Sequence, residues 1–188
     1  MPEKGWHGDA GLVVQTAPAR FELSYFLNQT SDLIQLLQTS QFTVQAQNLS
    51  KGLVHGVETA LSWTLFDHLD AEANYTFQWA KDISGLPGRD GKFLPGRPMH
   101  EASLRLTGHV QPVRVFTEMT YQDDNYLDTA NLLRVNNRFF ASSGVVVKFF
   151  RRFTASFEAK NLLNNRIEDL VGFPLPGRSF YGRLEFEL

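Results

Sequence analysis

Strict alternation of apolar and polar residues is the feature that most constrains this chain, and it is clearest at the C-terminal end. From Phe180 to Leu188 the even positions are Phe180, Gly182, Leu184, Phe186 and Leu188, while the odd ones are Tyr181, Arg183, Glu185 and Glu187. A period of two belongs to a strand with one apolar face and one polar face. The pattern recurs upstream: Phe21, Leu23, Tyr25 and Leu27 share a parity, as do the odd positions of 57–65, 69–79, 113–121, 139–149 and 153–159 and the even positions of 102–110. The opposite parity is charged or polar and includes Glu58, Arg105, Arg114, Glu118, Glu158 and Lys160. Such strands suit a wall with hydrocarbon outside and water inside.

Composition removes several classes. The chain is 43% hydrophobic and 13% aromatic with a net charge of −2, which fits neither a disordered segment nor a basic nucleic-acid binder. Its longest uncharged apolar runs, such as Val145 to Val147, fall far short of the ~20 residues of a spanning helix. A membrane reading therefore has to be a β reading. Cysteine is absent, which excludes a disulfide framework and a thiolate metal site. Met1 to Trp6 contain no apolar h-region of a secretory signal.

The connections alternate between tight and long. Tight turns are predicted at 17–19, 67–68, 111–112 and 150–152; long loops rich in Gly, Pro, Asn and Asp are predicted over 30–50, 83–99, 123–137 and 163–175. Short turns on one side and long loops on the other describe the two rims of an outer-membrane barrel. Trp79, Tyr121, Phe139 and Phe149, near strand ends, are placed at its two interfaces. A water-soluble antiparallel sheet with one buried face gives the same alternation, so a soluble binding module stays open. About nine strands are predicted, the first over roughly 7–15 and the last over 179–188. An odd count makes the two edge strands parallel, and a free edge in lipid strands unpaired N–H and C=O groups. The expected fold is thus all-β: an antiparallel transmembrane β-barrel of which residues 1–188 form the last part, in the class of about 22 strands with a plugged lumen. A stand-alone small barrel, pore or enzyme, is the alternative.

Several motifs carry a family resemblance. Asn161-Leu162-Leu163-Asn164 followed by Pro176-Gly177-Arg178 resembles the "NLF" step and "PGR" corner that close TonB-dependent outer-membrane receptors. Pro2-Glu3 resembles that family's "PE" strand entry, Gly56-Val57-Glu58 its "GVE" strand with Glu toward the lumen, and Asn74 to Phe77 its "NYTY" strand. Pro95, Pro98 and His100, within Leu94 to His100, resemble its re-entry from a long loop. Leu-Pro-Gly-Arg occurs three times, at 86–89, 94–97 and 175–178, where Pro and Gly set a sharp corner. The terminus departs from the family, whose members usually end in Phe and carry an assembly Gly one residue away from Gly182. Leu184, Phe186 and Leu188 still keep the apolar register expected of the assembly signal.

The resemblance implies a protein of the bacterial outer membrane that imports a scarce nutrient, such as a ferric siderophore, haem or cobalamin. It implies contacts with lipid, the barrel-assembly machinery, a plug domain, TonB and a small metal-chelate ligand, with no nucleic acid, no cofactor and no catalysis. Neither the plug nor the TonB box is expected within these residues. The five histidines lack metal-ligand spacing; Asp123, Asp124, Asn125 and Asp128 lack the Gly and Glu of a calcium loop; and Ser142-Ser143-Gly144 is not a nucleophile elbow.

Overall fold

The computed structural model describes residues 2–40, 43–48, 51–170 and 173–187, and none of these is helical. In chain order the strands are β1 (Lys4–Thr16), β2 (Ala19–Ser31), β3 (Ile34–Ser40), β4 (Thr43–Asn48), β5 (Lys51–Leu65), β6 (Leu69–Asp82), β7 (His100–Val110), β8 (Val113–Asp123), β9 (Asn125–Tyr126), β10 (Arg134–Val135), β11 (Arg138–Phe149), β12 (Phe153–Lys160), β13 (Glu168–Leu170), β14 (Phe173–Pro174) and β15 (Ser179–Phe186). Nine of them make one sheet in the order β1-β2-β5-β6-β7-β8-β11-β12-β15. Every neighbour is antiparallel and is the next long strand in the sequence, so the sheet is a simple up-and-down wall. β1 and β15 are its edges; both run from the long-loop rim to the short-turn rim.

The tight turns fall where the sequence predicts them. Two use consecutive left-handed residues, Phe66 (φ 54°) with Asp67 (φ 59°) and Phe150 (φ 47°) with Arg151 (φ 59°). Positive φ at both central positions gives the hairpin turn whose twist matches its strands. Without Gly or Asn this costs about 1–2 kcal/mol per residue.

The long connections hold more structure than expected. The sequence predicts a loop over 30–50, but β2 continues to Ser31, and β3 and β4 pair as a separate two-stranded sheet. The sequence of β3, Ile-Gln-Leu-Leu-Gln-Thr-Ser, does not alternate strictly, and pairing of the two halves is what satisfies its backbone. Short pairs β9/β10 and β13/β14 likewise sit inside 123–137 and 163–175. Only 83–99 lacks a strand, carrying a single bridge from Lys81 to Phe93.

There is no conventional core. Among the described residues the buried apolar side chains are Ala80, Leu94, Val135 and Ala159, with the prolines Pro95 and Pro98. Large apolar residues lie open instead, including Leu12, Phe21, Leu23, Trp63, Val115, Phe157, Phe180 and Leu184, all on one face. A contiguous apolar surface of this kind requires a cover. Directly opposed residues share a face, so the register divides the wall. On the outer face one row reads Leu12, Leu23, Thr59, Tyr75, Ala102, Tyr121 and Phe139, and from there to Phe149, Phe153 and Phe186 at the short-turn rim no residue is charged.

Candidate functional site

The inner face is polar across its whole width. One row reads Gln15, Arg20, Ser62, Glu72, Arg105, Glu118 and Ser142, and a second reads Gly11, Ser24, Glu58, Thr76, Glu101, Gln122 and Arg138. Strand pleating does this: successive side chains alternate faces, so charges an even number of residues apart in a strand share one surface. Neighbouring charges neutralise one another. Arg20 lies 2.7 Å from Glu22, Arg105 3.4 Å from Glu118 and Lys160 3.7 Å from Glu158. The Arg105 guanidinium also sits over the Phe116 ring, 5.0 Å from its centroid. Near the short-turn rim the Asp70 carboxylate accepts from Thr64 Oγ1 at 2.9 Å and lies 2.7 Å from His109 Nε2. All six residues predicted to face the lumen, Glu58, Arg105, Arg114, Glu118, Glu158 and Lys160, lie on this face. Among the described residues neither Glu58 nor Arg114 forms an ion pair.

At the long-loop end of the inner face the chain folds back over the wall. Leu94 is 2% exposed and packs against Ala80 with Leu33 and Val54 beside it. Its N–H donates to the Ala80 carbonyl at 2.8 Å, and Gln78 holds the segment below through Met99 O at 2.9 Å and Pro98 O at 3.0 Å. Pro95 and Pro98 are buried with it. This fold-back carries Arg97 over two adjoining recesses of about 370 Å³ each, bordered by His7, Asn28 and Val54 in common and by Asp9, Glu58 and Gln78 on one side. Arg97 belongs to a motif already picked out in the sequence, but nothing there announced that it would hang over the recess. His100 from the same motif is on the outer face instead, with its Nδ1 2.8 Å from the Tyr75 hydroxyl.

The loop over 83–99 is joined to the loop over 123–137. Asn131 accepts from Phe93 N–H at 2.7 Å and donates to Phe93 O at 2.9 Å, using its side-chain amide as a strand partner would. Gly96 N–H donates to Tyr126 O at 2.8 Å, and the Phe93 and Tyr126 rings stack at 5.9 Å. Asp128 caps its own loop by accepting from Ala130, Leu132 and Leu133 N–H groups, while Asp123 and Asp124 face Arg134. Among the described residues no group of three or more His, Asp or Glu side chains could hold a metal ion.

The remaining motif residues meet in one knot. Asn161, 6% exposed, donates to Asn165 O at 2.8 Å and to Pro176 O at 3.0 Å and accepts from Asn165 N–H at 3.0 Å. Leu162 N–H donates to Ala141 O at 2.8 Å, and the Arg178 side chain donates to Leu162 O. Asn164 Oδ1 accepts from Arg178 N–H at 3.0 Å and leaves no room beside Gly177, where a Cβ would come within 2.8 Å of it. Both Asn161 (φ 51°) and Asn164 (φ 54°) are left-handed, a conformation asparagine tolerates better than most residues. Gly56 is fixed by space: an added Cβ would lie 2.1 Å from the Phe77 carbonyl oxygen. Leu184 and Phe186 lie on the outer face of β15, 68% and 51% exposed, and Leu188 lies outside the described residues.

The family model for the TonB dependent receptor-like β-barrel matches residues 1–162, which include the GVE and Pro-Pro-His motifs but stop short of the Pro-Gly-Arg corner. No curated protein matches the sequence. Among solved structures, the fold is similar to that of the copper transporter OprC (TM-score 0.79, 20% identity, covering 100% of this chain and 32% of that one). It is also similar to the ferric citrate transporter FecA in its unliganded form (0.80, 16%, 98% and 31%) and to the ferric yersiniabactin uptake receptor FyuA from Yersinia pestis (0.74, 18%, 97% and 29%). The chain spans about a third of the length of each. An up-and-down wall whose outer face is uncharged below its long-loop rim and whose inner face is charged, matched by the family model over most of its length, belongs to the TonB-dependent receptor β-barrel family of the bacterial outer membrane.

Proposed function

We propose that this wall serves a receptor that takes up a scarce small molecule, such as a metal chelate, across the outer membrane with energy delivered through TonB. The observation that carries the reading is the division of faces, an outer surface uncharged below its rim and an inner surface of paired charges. Lipid and the barrel-assembly machinery meet the first; a plug domain meets the second through groups such as Glu58 and Arg114. The fold-back at Leu94 and the joined loops over 83–99 and 123–137 border the ligand's path. Both sheet edges descend, so the wall closes only with further strands that ascend beside each, an odd number in all, as the 22-stranded class supplies. The inner charges balance one another or meet the plug, so the role is transport rather than catalysis. Solved relatives named for ferric citrate, ferric yersiniabactin and copper give the probe set.

The test is uptake of labelled ferric citrate, ferric yersiniabactin and copper by cells with and without the gene. Loss of a protonophore-sensitive uptake of one probe is expected. Unchanged uptake of all three, together with unchanged growth under metal limitation, would remove this reading.

A further inference from the structure

The outer face changes character only near the long-loop rim. Its rows of opposed residues there are, going down, Lys4, Ser31 and Lys51; then Trp6, Gln29, Leu53 and Lys81; then Gly8, Leu27, His55 and Trp79; then Ala10, Tyr25, Val57, Phe77, His100 and Asp123. The lower rows form a belt of rings in contact. The Tyr25 hydroxyl is 3.4 Å from His55 Nδ1, His55 meets Trp79 edge-on at 5.9 Å, and Trp79 meets Phe77 at 5.4 Å. Rings with an apolar body and a polar tip collect where hydrocarbon meets the headgroups. The belt therefore sets the depth of the wall in the membrane.

Three lysines from β1, β5 and β6 lie just above that belt, on the face that meets lipid. Lys4 and Lys51 are both opposite Ser31, one on each side of β2, so their backbones are roughly 10 Å apart. Among the described residues none of the three pairs with a carboxylate; Lys81 Nζ rests over the Phe93 ring, 5.3 Å from its centroid. Asp123, the acid of the outer rim, is two strands beyond Lys81, where it accepts from the Tyr121 hydroxyl and faces Arg134. A lysine at this height lays its stem on apolar surface and offers its ammonium to the headgroup layer.

We propose that Lys4, Lys51 and Lys81 form a docking surface for the phosphorylated headgroup of an outer-leaflet lipid. Charge complementarity and continuity with the uncharged face below select this occupant: a ligand bound here keeps its acyl chains against Leu12, Leu23 and Val57 while its phosphates meet the ammonium groups. The inference rests on the outer face meeting lipid, not on which nutrient the receptor carries.

The test titrates the full-length protein, in an uncharged detergent, with a bisphosphorylated glucosamine lipid and follows quenching of Trp6 and Trp79 by a brominated acyl chain. Saturable binding that weakens with salt is expected, falling about tenfold or more in the triple variant K4Q/K51Q/K81Q. Lys148→Gln, on the inner face, should bind as the unmodified protein does. Unchanged affinity of the triple variant, equal binding of phosphatidylcholine, or displacement by inorganic phosphate at the lipid's own concentration would each overturn the proposal. Should the triple variant fail to assemble, Lys4→Gln and Lys51→Gln alone, both at exposed positions, are expected to weaken binding severalfold, and no change in either overturns it. A protein monodisperse without detergent would instead defeat the lipid-facing assignment itself.

Discussion

Val145 and Val146 are adjacent on β11, yet they belong to different solvents. Val145 lies between Val115 and Phe157 on the uncharged face, whereas Val146 lies between Arg114 and Ser156 on the charged one. The two residues are chemically identical, so the difference between their sites comes from the pleat and the register alone. In a soluble protein, burial in a core is what makes a position intolerant; here it is contact with lipid, and an inner position becomes intolerant only where backbones crowd.

Gly56 is the strongest challenge to that distinction, because it is an inner-face site with no room. Gly56→Leu should abolish assembly, read as loss of the heat-modifiable folded band on a gel; normal assembly would mean that β5 and β6 do not approach as closely as the 2.1 Å clearance implies. Next is Val145→Arg, which places a charge in the uncharged band and should cost ~2–4 kcal/mol in urea unfolding from vesicles. Asn161→Ala removes three hydrogen bonds from a nearly buried side chain and should cost ~1–3 kcal/mol by the same measurement, with the closing corner becoming protease-sensitive first. The smallest effect belongs to Val146. Val146→Arg faces Arg114 and should lose under ~1 kcal/mol, while Val146→Glu should lose less, since the cross-strand pair then attracts. Equal costs at 145 and 146 would contradict the register.

The wall was legible in the sequence because its signal is local. Parity in a strand assigns faces without knowledge of partners, so Glu58, Arg105 and Glu118 could be placed on the inner face from their own neighbours. The four tight turns were legible for the same reason. What the chain order conceals is contact between loops: Asn131 and Phe93 are 38 residues apart, and no periodicity links them. The hairpin of β3 and β4 was hidden by its uneven alternation, and the recess under Arg97 by the fold-back that creates it. The Asn161 knot lies between these cases. Its residues stood out as a motif, but their mutual hydrogen bonds depend on a corner that returns from Pro176 to meet Asn161.

The amide of Asn131 has a consequence for anything that recognises this protein at its long-loop rim. Because it holds Phe93 by both backbone groups, the loops over 83–99 and 123–137 present one discontinuous epitope. An antibody raised against the folded surface would span both segments, and a peptide copied from either alone would compete poorly for it.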